Sequence, residues 1–165
     1  MSRVRILLAG AERVDEVREL WLALHRHHRA VHEAVPLVED DEASWERRRA
    51  LYFDRLSSHT GFLVLAVDDD AVLGYALVVI EAGPDDTFPV GQAYAELYSL
   101  SVAPDHRGRG IGTQLLDFVD GELARRSIHD LKVAVMTGNA DALRLYERRG
   151  LRPAEVVLYR FATGL

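Results

Sequence analysis

The 165-residue chain contains no cysteine. That excludes disulfides, a thiol nucleophile and any cysteine-ligated metal, and it suits a reducing cytoplasm, the expected compartment. Lysine is nearly absent as well, since Lys132 is the only one among twenty basic residues. Twenty-six acidic residues leave a formal net charge of −6, which argues against the basic face of a general nucleic-acid binder. No apolar run approaches the roughly 20 residues of a membrane-spanning helix. Met1-Ser2-Arg3-Val4 leads straight into a strand-like run, so no signal peptide is expected. Neither nucleic acid nor membrane is therefore an expected partner. The remaining composition, 48% apolar and 28% charged, suits one folded domain over residues 1–165.

The apolar pattern sketches an α+β order. Residues 3–8 predict a short strand. From Ala11 the positions Val14, Val17, Trp21, Leu24, His28 and Val31 recur at helical spacing and stop near Pro36. The acidic stretch 39–42 suits the start of a second helix carrying Trp45, Tyr52 and Leu56, because negative charge favours the positive end of a helix dipole. FLVLAV and AVLGYALVVI flank Asp68-Asp69-Asp70 as a hairpin, and another strand spans about Ala93 to Val102. A helix follows from Gly110 to about Arg126, then a strand (LKVAVM). A short helix from Asn139 to Arg149 is stopped by Gly150, and VVLYRF predicts a closing strand. The sheet is expected to be mixed and largely antiparallel.

One stretch, "DHRGRGIG" at 105–112, concentrates glycine and arginine between a strand and a helix. The first amides of that helix lack internal partners, and glycines let an anion approach the main chain, so a phosphate is the natural ligand. Arg107 and Arg109 add positive, fork-shaped donors. A Walker loop is excluded because no lysine is present. A dinucleotide fingerprint beginning at Gly108 fails at Thr113. A tight turn serving packing alone is the other reading of the loop by itself.

The context carries more information. R-x-x-G-x-G (Arg107, Gly110, Gly112), preceded by "LSVAPDH" and followed by "IGTQLLDF", resembles the pyrophosphate loop of the GNAT superfamily of acyl-CoA-dependent N-acetyltransferases. About thirty residues on, "NADALRLYERRGL" resembles the second signature of that family, with Leu151 where phenylalanine is usual. The resemblance implies a GNAT fold, a mixed sheet flanked by helices whose splayed strands form an acyl-CoA slot. It further implies acetyl-CoA as co-substrate, no metal, an amine acceptor as partner and, by family habit, a possible homodimer. The main-chain amides of Arg107, Gly108, Arg109, Gly110, Ile111, Gly112 and Thr113 would hold the CoA pyrophosphate. The main chain of Leu100, Ser101 and Val102 would run beside the pantetheine arm. Leu97 differs in strand parity from Leu100 and Val102, although all three are apolar, and a β-bulge between 97 and 100 would put them on one core.

Acetyl transfer to an amine needs a proton acceptor for the amine and a proton donor for the thiolate that leaves. By the resemblance Tyr146 is the acid near the CoA sulfur and Asn139, seven residues earlier on the same side of a helix, contacts pantetheine. A core aromatic and a simple N-cap are the bland alternatives. Glu96, between Ala95 and Leu97, is the candidate base, since an apolar strand raises a carboxyl pKa, and an ordinary edge or salt-bridged glutamate is its alternative. Ala134 stands where GNAT enzymes acting on ribosomal N-termini carry a glutamate. With the acidic charge, that tilts the expected acceptor toward a small cationic amine over a protein lysine or N-terminus. His25, His28 and His32 have helical spacing suggestive of metal, but no acid completes a signature; Trp21, His25 and His28 are candidates for acceptor contacts. A non-catalytic acyl-CoA sensor is the rival reading, and a structural protein with a metal- or partner-binding His-rich helix is a third.

Overall fold

A strand buried on both faces needs apolar residues at nearly every position, and FLVLAV and YALVV meet that demand. In the computed structural model, which describes residues 3–32 and 34–162, these runs lie at the centre of a five-stranded sheet. The strands are β1 (Arg5–Ala9), β2 (Gly61–Asp68), β3 (Ala71–Ala82), β4 (Ala93–Val102) and β5 (Leu131–Val133), in that spatial order. The first three pairings are antiparallel and β4–β5 is parallel. The expected mixed, largely antiparallel sheet is therefore present.

Helices cover both faces. A 3-10 turn (Ala11–Val17) leads into α1 (Arg18–Val31), so the helical spacing that begins at Ala11 spans two kinds of helix. Next comes α2 (Asp41–Ser57), where the Asp40 side chain caps the Ala43 amide at 3.1 Å and Asp41 and Glu42 occupy the first turn. On that face Trp21, Trp45 and Tyr52 pack against Leu63, Leu65, Tyr75 and Leu77. The other face is covered by α3 (Ile111–Arg125) and α4 (Ala140–Arg148). There Ile111, Leu115, Val119 and Tyr146 pack against Val64, Ala76, Val78, Ala95 and Leu97. Leu63, Leu65 and Leu77 are fully buried, so truncating any one to alanine should cost about 2–5 kcal/mol. Gly74 lets α3 approach the sheet: a Cβ there would meet Leu115 Cδ1 at 3.2 Å and Ile111 Cγ2 at 3.4 Å.

Two expectations are corrected. The strand predicted for LKVAVM is only three residues long, because residues 134–136 leave the ladder as β4 turns away. The predicted closing strand VVLYRF is not a strand. Apolar, β-branched residues hold strand geometry only against a neighbour, and this segment has none. Val156 and Leu158 are 86% and 88% exposed.

Candidate functional site

Pairing between β3 and β4 sets Leu77 opposite Ser99 and Val78 opposite Leu97, so Tyr98 is an extra residue in β4. Sequence parity predicted this bulge. It puts Ala95 and Leu97, before it, and Leu100 and Val102, after it, against the same core. Ser99 and Ser101 consequently face α1 and α2. Ser101 Oγ donates to Leu20 O at 2.8 Å, and Ser99 Oγ accepts from the Tyr52 hydroxyl. Tyr52 and Tyr75, whose hydroxyls lie 3.0 Å apart, complete a buried polar cluster. Nothing in the sequence pattern marks that cluster, because its members come from three distant segments.

The bulge also separates the strands. The β4–β5 ladder ends at Leu97–Val133, and beyond it a cleft, partly open to solvent, lies between residues 97–100 and 133–136. Leu24 and His28 of α1 line one side, and Asn139, Ala142 and Tyr146 of α4 another. This is the splayed slot that the resemblance implies. Asn139 is both N-cap, accepting from the Ala142 amide at 3.4 Å, and cleft residue. Tyr146 is buried, and burial alone pushes its hydroxyl up to about 12, so it stays protonated as a donor at neutral pH.

From the cleft β4 runs to the glycine-rich loop. Gly108 and Gly110 have φ of +73° and +79°, the left-handed region that favours glycine, and no protein atom lies within 4 Å of a Cβ at either. Their side is open space, so packing does not require these glycines. Gly110 caps α3 without a side chain, and the first amide to bond back is Gln114, to Gly110 O at 3.0 Å. The amides of Ile111, Gly112 and Thr113 thus precede the helical ladder, and no acidic residue occupies the first turn. Arg107 Nε donates to Val102 O at 3.1 Å, tying the loop to the end of β4, and Arg109 is exposed beside it. The arrangement fits a pyrophosphate.

Glu96 is not brought into the cleft. It lies on the opposite side of β4 from Ala95 and Leu97, at the middle of the three β4–β5 pairs, with Lys132 as its register partner. Burial raises its pKa, partly offset by the Lys132 and Arg55 charges, while Glu81 and Glu155 push it up further. Of the three aromatic candidates on α1, only His28 reaches the cleft. Trp21 and His25 are buried and stacked at 5.6 Å; Trp21 Nε1 donates to Ser44 Oγ at 3.2 Å, and His25 Nε2 lies 2.7 Å from Val38 O. Burial, helped by the charges of His27, His25, Arg48 and His32, pushes His28 down to about 4. Among the described residues no group of three or more His, Asp or Glu stands together as a metal cage. His32 Nδ1 instead meets Thr137 O at 2.9 Å.

Comparison with known proteins places this geometry. The model of the acetyltransferase (GNAT) family matches residues 15–151. A mycothiol acetyltransferase of Clavibacter michiganensis subsp. michiganensis is 38% identical over 102 residues, covering 61% of this chain and 30% of that protein. The [ribosomal protein bS18]-alanine N-acetyltransferase of Escherichia coli K12 is 36% identical over 62 residues, covering 38% of this chain and 42% of that one. The chain thus spans less than half the length of either relative. The crystal structure of a GCN5-related N-acetyltransferase from Ralstonia eutropha JMP134 superposes with a TM-score of 0.79 at 20% identity, over 98% of this chain and 100% of that one, and shows a common fold.

Proposed function

The chain belongs to the acetyltransferase (GNAT) family, and on that premise we propose that it moves an acetyl group from acetyl-CoA directly to a primary amine. The observation that carries the reading is the cleft opened by the Tyr98 bulge, with Tyr146, whose hydroxyl stays protonated, among the residues that line it. Acetyl-CoA, when bound, supplies an acetyl group activated as a thioester. The amides of residues 108–113 hold its pyrophosphate at the uncapped N-terminus of α3, while the Arg107 amide turns back to Pro104 O at 3.3 Å. The main chain of Leu100, Ser101 and Val102, on a β4 edge that β5 no longer pairs, lies along the pantetheine arm, and Asn139 contacts it from α4. Tyr146 gives its proton to the leaving thiolate. Glu96, lying off the cleft with a raised pKa, takes the proton of the amine through water.

The acceptor we favour is a small cationic amine, such as a polyamine, an aminoglycoside-like amine, an amino acid or another amine metabolite, over a protein lysine or N-terminus. The net charge of −6 and Ala134 support that preference. So does the longer match to a relative named for mycothiol than to one named for a ribosomal protein. Residues 1–165 would form one domain acting in the cytoplasm.

Thiol release from acetyl-CoA over a panel of polyamines, aminoglycosides, amino acids and short peptides tests the reading. Because the chain has no cysteine, a thiol-reactive dye reports only liberated CoA. Release with one amine class, lost in Glu96→Gln, names the acceptor and supports the base. Binding of acetyl-CoA without release for any amine would favour a sensor, and no binding would overturn the assignment of the loop.

A further inference from the structure

In a chain with 26 acidic and 20 basic residues, carboxylates are in ready supply for arginines. Around α1 and α2, Arg13, Arg18, Arg26, Arg29, Arg49 and Arg55 each meet one within 3.5 Å. Arg48 is partly buried between the same helices and meets none among the described residues. Its guanidinium is nevertheless fixed. Arg48 Cζ sits 4.0 Å from the centre of the buried Trp21 ring, which is itself held by its bond to Ser44 and its stack on His25. A guanidinium laid on an aromatic face is pre-organised, and it still donates from its edge in the planar fork that fits a carboxylate.

The position of this cation matters more than its lack of a partner. Arg48 Cζ lies 5.7 Å from the Tyr52 ring centre, and its charge counters the upward push of burial on the Tyr52 hydroxyl. That hydroxyl donates to Ser99 Oγ, and Ser99 lines the cleft. The Arg48 charge is also among those that push His28 down, and His28 lines the cleft from α1. Arg48 therefore stands behind two cleft residues, at the side where α1 and α2 meet β4. Glu96, paired in register with Val79 of the α1–α2 core, looks to that same side. Glu96 and Ser99 are three positions apart, no more than about 10 Å of strand. A span of that size, with the water that the proton crosses, suits an amine and a carboxylate within one small molecule.

We propose that Arg48 binds a carboxylate of the acceptor, so that the acceptor is a small molecule carrying both a primary amine and a carboxylate, an amino acid in the broad sense. The inference rests on the acetyl-transfer reading and narrows it. Polyamines and aminoglycosides, which bring no anion to Arg48, are poor acceptors on this account. Arg48 supplies the charge-assisted, two-pronged contact that orients the acceptor, and Glu96 receives the proton of its amine.

Matched acceptors test the assignment. The α-amino acids, β-alanine and γ-aminobutyrate are each compared with their own carboxamides by thiol release from acetyl-CoA. For at least one pair the wild type should favour the acid by about 10-fold or more in kcat/KM. Arg48→Met, which keeps an apolar stem over Trp21, should cut that preference by about 10-fold. Arg48→Lys, which keeps a charge but not the fork, should restore part of it. Equal rates for acids and carboxamides would overturn the inference while leaving acetyl transfer intact. An Arg48→Met variant that melts lower yet keeps the preference would overturn it too, and assign Arg48 to packing. Silence from every pair would count against acetyl transfer itself, and calorimetry of the same acids with the CoA-loaded protein then decides the site. An acid that binds wild type but not Arg48→Met supports it, and no binding by any acid overturns it.

Discussion

Leu97 and Leu100 pack against the same core although they stand three positions apart, because Tyr98 is inserted between paired positions of β4. One added residue thereby does two things. It keeps both ends of the strand buried, and it ends the β4–β5 ladder where the cleft begins.

Deleting Tyr98 should undo both. Either Leu100 and Val102 turn toward α1 or Ala95 and Leu97 do, and in the first case Ser99 and Ser101 lose Tyr52 and Leu20 O and enter the apolar core. Each unpaired buried hydroxyl costs about 1–3 kcal/mol. The unfolding free energy of the deletion variant in urea should fall by that order for each of the two groups, and acetyl-CoA binding should be lost. Tyr98→Val keeps the residue count and should retain both. Equal effects of deletion and substitution would show that the side chain, not the inserted residue, matters.

That bulge was legible in the sequence because apolar parity breaks between 97 and 100. The loop and the α4 signature were legible because their chemistry is local: glycines at positive φ, an asparagine cap, a tyrosine two turns on. What parity could not show was distance across the fold. The tail reads as a strand by composition, but whether a strand forms depends on an edge supplied elsewhere. The Tyr52–Tyr75–Ser99 cluster and the position of Glu96 off the cleft likewise depend on which segments the sheet brings together.

His28 should make stability depend on mild acid. Its pKa is pushed down to about 4 in the folded chain, from 6.5, so between those values the unfolded chain binds the extra proton. Its contribution is fully present above about pH 6.5 and is lost progressively as pH falls toward 4. For this partly buried group the loss should be roughly 2 kcal/mol. His28→Gln should flatten the fall in melting temperature over that window, and an unchanged slope would show that other groups set it.

Tyr146→Phe and Glu96→Gln should separate acid from base. Phenylalanine keeps the buried ring and removes only the proton donor, so kcat should fall about 100-fold while acetyl-CoA affinity is unchanged. Glu96 must be ionised to accept a proton, so on the proposed reaction activity should rise with pH through its raised pKa, and Gln should abolish that limb. Stability should move the other way. The folded chain holds the Glu96 proton more tightly than the unfolded one, so ionisation weakens the fold as pH rises past the ordinary carboxyl range. Glu96→Gln should therefore melt no lower than wild type at pH 7 while being less active.

Gly110→Ala distinguishes a phosphate cradle from a packing turn. Alanine at φ +79° is strained by about 1–2 kcal/mol, but its methyl meets no protein atom within 4 Å, so the fold should survive with a small loss of stability. If the open side is where a pyrophosphate approaches the amides of α3, the same methyl should weaken acetyl-CoA binding at least 10-fold by calorimetry. Gly61→Ala supplies the contrast. Its Cβ would press on Val78 O at 2.7 Å and Val79 Cα at 3.6 Å in β3, away from the loop, so it should cost more stability and less affinity. Were Gly110→Ala to bind acetyl-CoA as tightly as wild type, the glycines at 108 and 110 would serve the turn alone, and the anion site would have to lie elsewhere.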